Sequence, residues 1–272
     1  MNAAARLEAL LQLMAQLRDP GRGCPWDQAQ DFASIAPCTI EEAYEVADAI
    51  ASGEPARIRE ELGDLLFQVV FHARLAEERG WFDFAAVAAG IHDKLVRRHP
   101  HVFGNAVGGD SASLAQQWEQ HKRAERAASG QHGALGGVPL ALPALTRAAK
   151  LGRRAAHAGF DWPDAAGVRA KIDEELGEAD RALQAASPVA VAEELGDLLF
   201  TIVNWSRHLD VDPETALRAA NRKFEQRFAG MEALAAQRGL SLASLDAGSW
   251  DELWRAAKAT PAEFSSGSDS RD

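Results

Sequence analysis

The octapeptide EELGDLLF occurs twice in this chain, at 60–67 and again at 193–200. Eight identical residues recurring in one sequence constrain the architecture more than any composition figure, because a repeat defines the unit that folds. A second acidic run precedes each copy. It reads Glu41, Glu42, Ala43, Tyr44, Glu45 in the first instance and Glu174, Glu175, Leu176, Gly177, Glu178 in the second. Glu42 to Glu61 and Glu175 to Glu194 each span 19 positions, and the whole pattern recurs after 133 residues. A period that long excludes a solenoid and implies two homologous halves, each carrying EExxE followed by ExxD.

With 272 residues, two halves of ordinary domain size fit the chain. The reading divides it into an N-terminal domain at 1–128, a Gly-, Ala- and Pro-rich linker at 129–143, a C-terminal domain at 144–260 and a disordered tail at 261–272. Apolar residues recur at helical spacing throughout, as in Leu7, Leu10, Leu11, Met14 and Leu17. Residues 20–38 read as a loop. Thr39 with Glu42 reads as a capping box opening a helix that ends at Gly53. Further helices are expected from Pro55 to Gly80, from Asp83 to Arg98, and from Ser111 through Trp118 and Lys122. In the second half they are expected from Pro143 to Ala158, from Asp164 to Ala186, from Ser187 and Pro188 onward, from Asp212 to Arg238, and from a capping box at Ser249 and Glu252. No segment reads as a strand, so the fold class is all-α.

On a helix, side chains three or four apart share a face. Glu175 with Glu178, and Glu194 with Asp197, therefore project in pairs. Leu195, Leu198, Leu199, Ile202 and Val203 form a stripe beside the second pair. If that stripe packs on the preceding helix, four carboxylates converge, and like charges brought together repel strongly. A hard divalent cation relieves this, and Mg²⁺ takes carboxylates together with water and substrate phosphates. Glu42, Glu45, Glu61 and Asp64 offer a second set. A glutamate-rich helix is ordinarily a solvated face laced with i,i+4 ion pairs. Here few cations stand at i+4, and the acid spacing recurs in both halves. Iron is disfavoured, since no histidine follows a glutamate by three residues as di-iron bundles require. Zinc is disfavoured because the Cys and His spacings match no common site. His99 and His101 read as loop or cap residues.

Lys223 and Arg227 stand four apart, as do Trp254 and Lys258; Lys94 with Arg98 and Trp118 with Lys122 are their counterparts. In an acidic chain such pairs point to phosphate oxygens, and a tryptophan beside them to a base or to a cover over the site. The net charge of −11 argues against nucleic acid or an anionic membrane as the main partner. Two cysteines make no disulfide framework and suit a reducing cytoplasm. No secretory signal or membrane span is evident.

Taken together, these runs resemble the MazG family of nucleoside triphosphate pyrophosphohydrolases. The resemblance extends to CPWD at 24–27, RRHPHVF at 97–103, GFDW at 159–162 and KFxxRF at 223–228. It implies tandem helical-bundle domains completed by homodimerisation. It also implies Mg²⁺-dependent hydrolysis of nucleoside triphosphates to monophosphate and pyrophosphate, with Mn²⁺ able to substitute. On that resemblance Glu175, Glu178, Glu194 and Asp197 bind the metal. Lys171, Ile172, Asp173, Glu174, Glu175, Glu193, Lys223, Arg227, Trp254 and Lys258 line the nucleotide site, and Glu174 or Glu175 serves as the base. The C-terminal half is expected to be the main catalytic one. Two other classes stand beside this: a regulatory module that binds Mg²⁺ and nucleotide without hydrolysis, and a metal-dependent isoprenoid diphosphate enzyme, which the absence of DDxxD disfavours.

Overall fold

A computed structural model describes residues 2–104, 109–110, 114, 117–118, 121–122, 125 and 133–259. Among these residues every regular element is helical, as the sequence pattern requires. Contacts divide the chain into two compact units, Met1–Lys122 and Arg123–Asp272. No described helix is long and apolar enough to cross a membrane. The expected start at Ser111 and the tail from Pro261 lie outside the described residues.

Unit 1 contains α1 (Ala3–Leu17), α2 (Pro25–Ala29), α3 (Phe32–Ser52), α4 (Pro55–Glu78), α5 (Phe84–Arg98) and the short α6 (Pro100–Phe103). Residues 114, 117–118 and 121–122 of this unit are also helical. α3 and α4 form a hairpin whose packing dominates the unit, with α1 and α5 laid against α4. Met14, Ile35, Val70, Phe71 and Leu75 make the core, flanked by Phe32, Phe67 and Phe84. Burial of each such side chain contributes roughly 1.5–3 kcal/mol before entropy.

The region read as a loop at 20–38 is partly helical. α2 occupies 25–29, and α3 starts at Phe32 rather than at Thr39. The competing signal is Asp31. Its carboxylate accepts from the Ala33 and Ser34 amides, while the Ser34 hydroxyl accepts from the Asp31 amide, a reciprocal cap. That cap carries the helix through Pro37, which forgoes one backbone bond. Thr39 is thus an interior residue, and its hydroxyl meets His72 Nε2 at 2.9 Å. Gly53 closes α3 at φ +73°, a left-handed stop that glycine adopts without strain.

Unit 2 contains α7 (Ala144–His157), α8 (Ala165–Gln184), α9 (Pro188–His208), α10 (Pro213–Gln237) and α11 (Ala247–Ala259). Asp164, Ser187 and Asp212 cap α8, α9 and α10 through their side chains. Asp246, not Ser249, caps the last helix, accepting from the Ser249 amide at 2.8 Å. α8 and α9 form the dominant hairpin, α7 crosses α9, and α10 pairs with α11. The crossing of α7 on α9 is close: a Cβ added at Gly152 would lie 2.3 Å from Asn204 Oδ1. A second core of Met231, Ala235, Leu253 and Ala257, with Trp250 and Trp254 against it, holds α10 to α11.

The apolar stripe on α9 does not pack as a whole against α8. Val203 is buried and Leu198 half-buried, whereas Leu195, Leu199 and Ile202 are exposed. A helix turns only part of a wide stripe toward one neighbour. α4 repeats this, with Leu62, Leu66 and Val69 exposed.

Candidate metal centre

The two hairpins each gather carboxylates where their helices face one another. In unit 2, oxygens of Glu175 from α8 and of Glu194 and Asp197 from α9 lie within 4.8 Å of one another. In unit 1, Glu42 and Glu45 from α3 and Glu61 from α4 do the same. The expected fourth members stand close by without completing either group: Asp64 acts electrostatically on Glu42, and Glu178 acts on Glu194. Burial first, then the Glu178, Glu175 and Asp197 charges, push the Glu194 carboxyl above its ordinary range. Glu42 is raised by burial and then by Asp64 and Glu45. Glu61 is raised by burial and then by Glu45. Both clusters are therefore electrostatically loaded, the condition that a cation relieves.

Glu175 is the central ligand candidate. It is 4% exposed, its Oε1 receives Lys171 Nζ at 2.8 Å, and its Oε2 is buried without a hydrogen-bond partner. An orphaned carboxylate oxygen in the middle of an acidic cluster is costly unless a cation takes it. The donors are all carboxylate oxygens, which suits a hard divalent ion. Lys171 also bonds Glu174 at 2.9 Å, and both contacts raise its pKa well above the usual lysine range. Glu178 is shared with Arg181 at 3.2 Å. Asp173 pairs with Arg169 on the same helix. A count of cations at i+4 alone leaves out both of these partners, because Lys171 stands one turn before its acids and Arg181 at i+3. Ile172 is buried. Glu193 is exposed on α9 and contributes to the field on Glu194.

Arg227 and Trp254 are brought together, the guanidinium lying 5.8 Å from the ring centroid. Phe224 stands beside the same ring at 5.7 Å. Arg98 over Trp118 at 4.9 Å, with Lys122 at 5.6 Å, repeats the motif in unit 1. His99 ends α5 as a cap residue and stacks at an angle on Trp118. Lys223, Arg227, Trp254 and Lys258 all belong to the α10–α11 pair. Among the described residues, no hydrogen bond, ion pair or ring contact links these four to the carboxylates of α8 and α9.

Sequence reasoning missed Gln68 and Asp161. Gln68 lies one turn beyond Asp64, is 6% exposed, and has its side-chain oxygen buried without a hydrogen-bond partner. Asp161 closes unit 2 by pairing with Arg207 at 2.9 Å and with His208 at 3.1 Å. GFDW enters the sequence reading as a run that carries the resemblance, and nothing in its spacing points Asp161 to Arg207, 46 residues further on.

Fold and site together define an all-α protein with two helical hairpins, each presenting an acidic cluster suited to a divalent cation. A family model described as the MazG nucleotide pyrophosphohydrolase domain matches residues 30–103 and again 165–229, covering both hairpins. A nucleoside triphosphate pyrophosphohydrolase of Escherichia coli K12 is 49% identical over 93% of this chain and 97% of its own. A nucleoside triphosphate pyrophosphohydrolase/pyrophosphatase MazG of Thermotoga maritima is 44% identical over 94% of this chain and 97% of its own. The chain belongs to the MazG nucleotide pyrophosphohydrolase family.

Proposed function

We propose that this protein is a Mg²⁺-dependent nucleoside triphosphate pyrophosphohydrolase, cleaving between the α and β phosphates to give monophosphate and pyrophosphate. Within the family membership, the observation that carries the reading is Glu175: a buried carboxylate with one oxygen on Lys171 and the other unpartnered inside an acidic cluster. Glu175, Glu178, Glu194 and Asp197 hold the ion, and Mn²⁺ substitutes for it. When bound, the ion neutralises phosphate charge and acidifies a water. Glu174, at the exposed rim, or Glu175 accepts the proton of the attacking water. Lys171 holds these two carboxylates apart and keeps them oriented. Lys223, Arg227 and Lys258 bind phosphate oxygens, and Trp254 with Phe224 covers the base. Ile172, Asp173 and Glu193 complete the lining.

The separation of the α10–α11 cations from the carboxylates within one chain supports a homodimeric site. So do the exposed leucines of α4 and α9, which a second copy would cover. The domains are taken as 1–128 and 144–260, and the setting is the cytoplasm, where the substrates are. Nucleic acid and membrane are not partners in this reading.

Product analysis tests it. The eight ribo- and deoxyribonucleoside triphosphates are incubated with Mg²⁺, and the products are resolved by ion exchange. Monophosphate with pyrophosphate, lost in EDTA, is the expected result. Diphosphate with orthophosphate would refute α–β cleavage. Tight nucleotide binding without turnover would favour the regulatory module.

A further inference from the structure

We propose that Arg181 is a positioning residue of the C-terminal centre: it holds Glu178 aside while the ion is absent and yields it when the ion binds. The inference rests on the reading above that Glu175, Glu178, Glu194 and Asp197 hold a divalent cation, and it deepens that reading by assigning the residue that governs the fourth ligand.

The two hairpins supply an internal comparison. At the 133-residue offset of the repeat, Glu42, Glu45, Glu61 and Asp64 correspond to Glu175, Glu178, Glu194 and Asp197. In unit 1 the oxygens within 4.8 Å of one another belong to Glu42, Glu45 and Glu61; in unit 2 they belong to Glu175, Glu194 and Asp197. The glutamate that closes EExxE has therefore joined its neighbours in α3 and stayed out of the group in α8. Spacing does not account for this, because it is identical in the two halves.

What differs is the next turn. Three residues after Glu178 stands Arg181, whose Nη2 donates to Glu178 Oε1 at 3.2 Å. Three residues after Glu45 stands Asp48, and an ionised carboxylate has no donor to offer another. The residue before the glutamate differs as well. In α8 it is Gly177, where an added Cβ would lie 3.5 Å from Arg181 Nη1; in α3 it is Tyr44. The bare glycine leaves the guanidinium room to lie along the helix toward Glu178.

The Arg181 and Glu178 side chains are 67% and 33% exposed. An ion pair that open is weak, which suits a releasable contact and not a permanent brace. Without an ion, Glu178 is attracted by Arg181 and repelled by the gathered carboxylates. A divalent cation among Glu175, Glu194 and Asp197 turns that repulsion into attraction, and Glu178 shares a helix face with Glu175. The C-terminal cluster then binds a bare ion less tightly than four pre-aimed carboxylates would, by the cost of releasing Glu178 from Arg181.

The test uses the full chain with the N-terminal cluster silenced by Glu42→Gln and Glu61→Gln, and Mn²⁺ as the probe. Free Mn²⁺ is followed by electron paramagnetic resonance without nucleotide, and cooperative melting of the metal-free proteins confirms folding. Arg181→Ala is expected to tighten Mn²⁺ binding by about 3-fold, the worth of an exposed pair. Arg181→Lys, which can still pair with Glu178, is expected to stay near the parent. Glu178→Gln alone is expected to weaken binding. In that background Arg181→Ala is expected to change the affinity by less than about 1.5-fold, because no carboxylate remains to be released. Equal tightening in both backgrounds would show that Arg181 acts only as a nearby positive charge, and would overturn the proposal. Unchanged or weakened binding in Arg181→Ala would overturn it too, while the metal reading of the C-terminal centre stands. If the N-terminally silenced chain binds no Mn²⁺, that reading fails and the proposal fails with it.

Discussion

The α3–α4 and α8–α9 hairpins carry the same acids at the same spacing, yet almost everything beneath those acids differs. Phe71 in α4 is fully buried against α1, where Met14 meets it. At the matching place in α9 stands Asn204, also fully buried, with α7 brought in close by Gly152. Arg74 pairs with Glu77 and Glu78 on its own helix, whereas Arg207 reaches across to Asp161. Lys171 corresponds to Cys38, and Thr201 to Gln68, at the 133-residue offset of the repeat. A surface chemistry can thus be kept while the core supporting it is rebuilt, because packing demands only matched volume and paired polar groups. The difference also gives each half its own vulnerabilities.

The largest expected contrast is catalytic. Glu175→Gln should lower kcat for pyrophosphate release by at least about 10²-fold, since a metal-assisted step loses its buried ligand. Glu42→Gln should leave turnover within a few-fold. The reverse ranking in steady-state assays would move the main site to the N-terminal half.

Next comes the lysine. Lys171→Ala strips Glu175 of the one cation paired with it among the described residues, while its second oxygen is already orphaned. A stability loss of about 1–2 kcal/mol is expected for the metal-free protein, discounted because the ammonium is partly exposed. Added Mg²⁺ should restore most of it by mass action. A melting temperature unaffected in the absence of metal would show that the pair carries no net stabilisation.

Glycines sharpen the comparison in packing. Gly152→Ala places a methyl group against Asn204 and should cost about 1–3 kcal/mol. Gly63 and Gly196, the glycines of the repeated octapeptide, have open space around a would-be Cβ. Alanine at either should stabilise a single chain by about 1 kcal/mol through helix propensity. If a second copy lies on that face, the same change will instead weaken association in sedimentation experiments. The substitution therefore separates a solvent face from an interface.

What the sequence made legible follows from periodicity. The helices from Pro55, Asp83, Asp164, Ser187 and Asp212 were all readable, because a cap or an N1 proline preceded an unbroken 3.6-residue pattern. The start of α3 was not readable. Pro37 stands inside the helix, where proline ordinarily breaks one, and the Asp31–Ser34 cap lacks the glutamate or glutamine that marks the usual box. The acidic clusters were legible because convergence needs only spacing plus a hairpin. The orphaned oxygens of Glu175 and Gln68, and the reach of Arg207 to Asp161, depend on tertiary burial that spacing does not encode. The exposure of Leu195, Leu199 and Ile202 was hidden for the same reason: a stripe announces that something covers it, not which element.

The smallest expected effect compares how each unit is tied against acid. In unit 2 the Arg207 guanidinium, followed by the His208 contact, holds the Asp161 carboxyl down at about 2. In unit 1 the Arg18 bond, followed by that of Arg74, lowers Glu78. Both are carboxylates depressed in the folded state, so each contributes stability that is fully present above its unfolded pKa, about 3.8 for Asp161, and is lost as pH falls through the folded value. For Asp161 the window runs from about pH 4 down to about pH 2, and after allowance for solvent screening the contribution is about 1 kcal/mol. Asp161→Asn should lower stability at neutral pH by that amount and leave it unchanged near pH 2, flattening the acid limb of unit 2. Glu78→Gln should do the same for unit 1. Denaturant midpoints measured from pH 2 to pH 7 read both variants against the unmodified chain. Parallel curves, with the Asp161→Asn deficit persisting at pH 2, would show that the loss is packing around Arg207 rather than proton linkage.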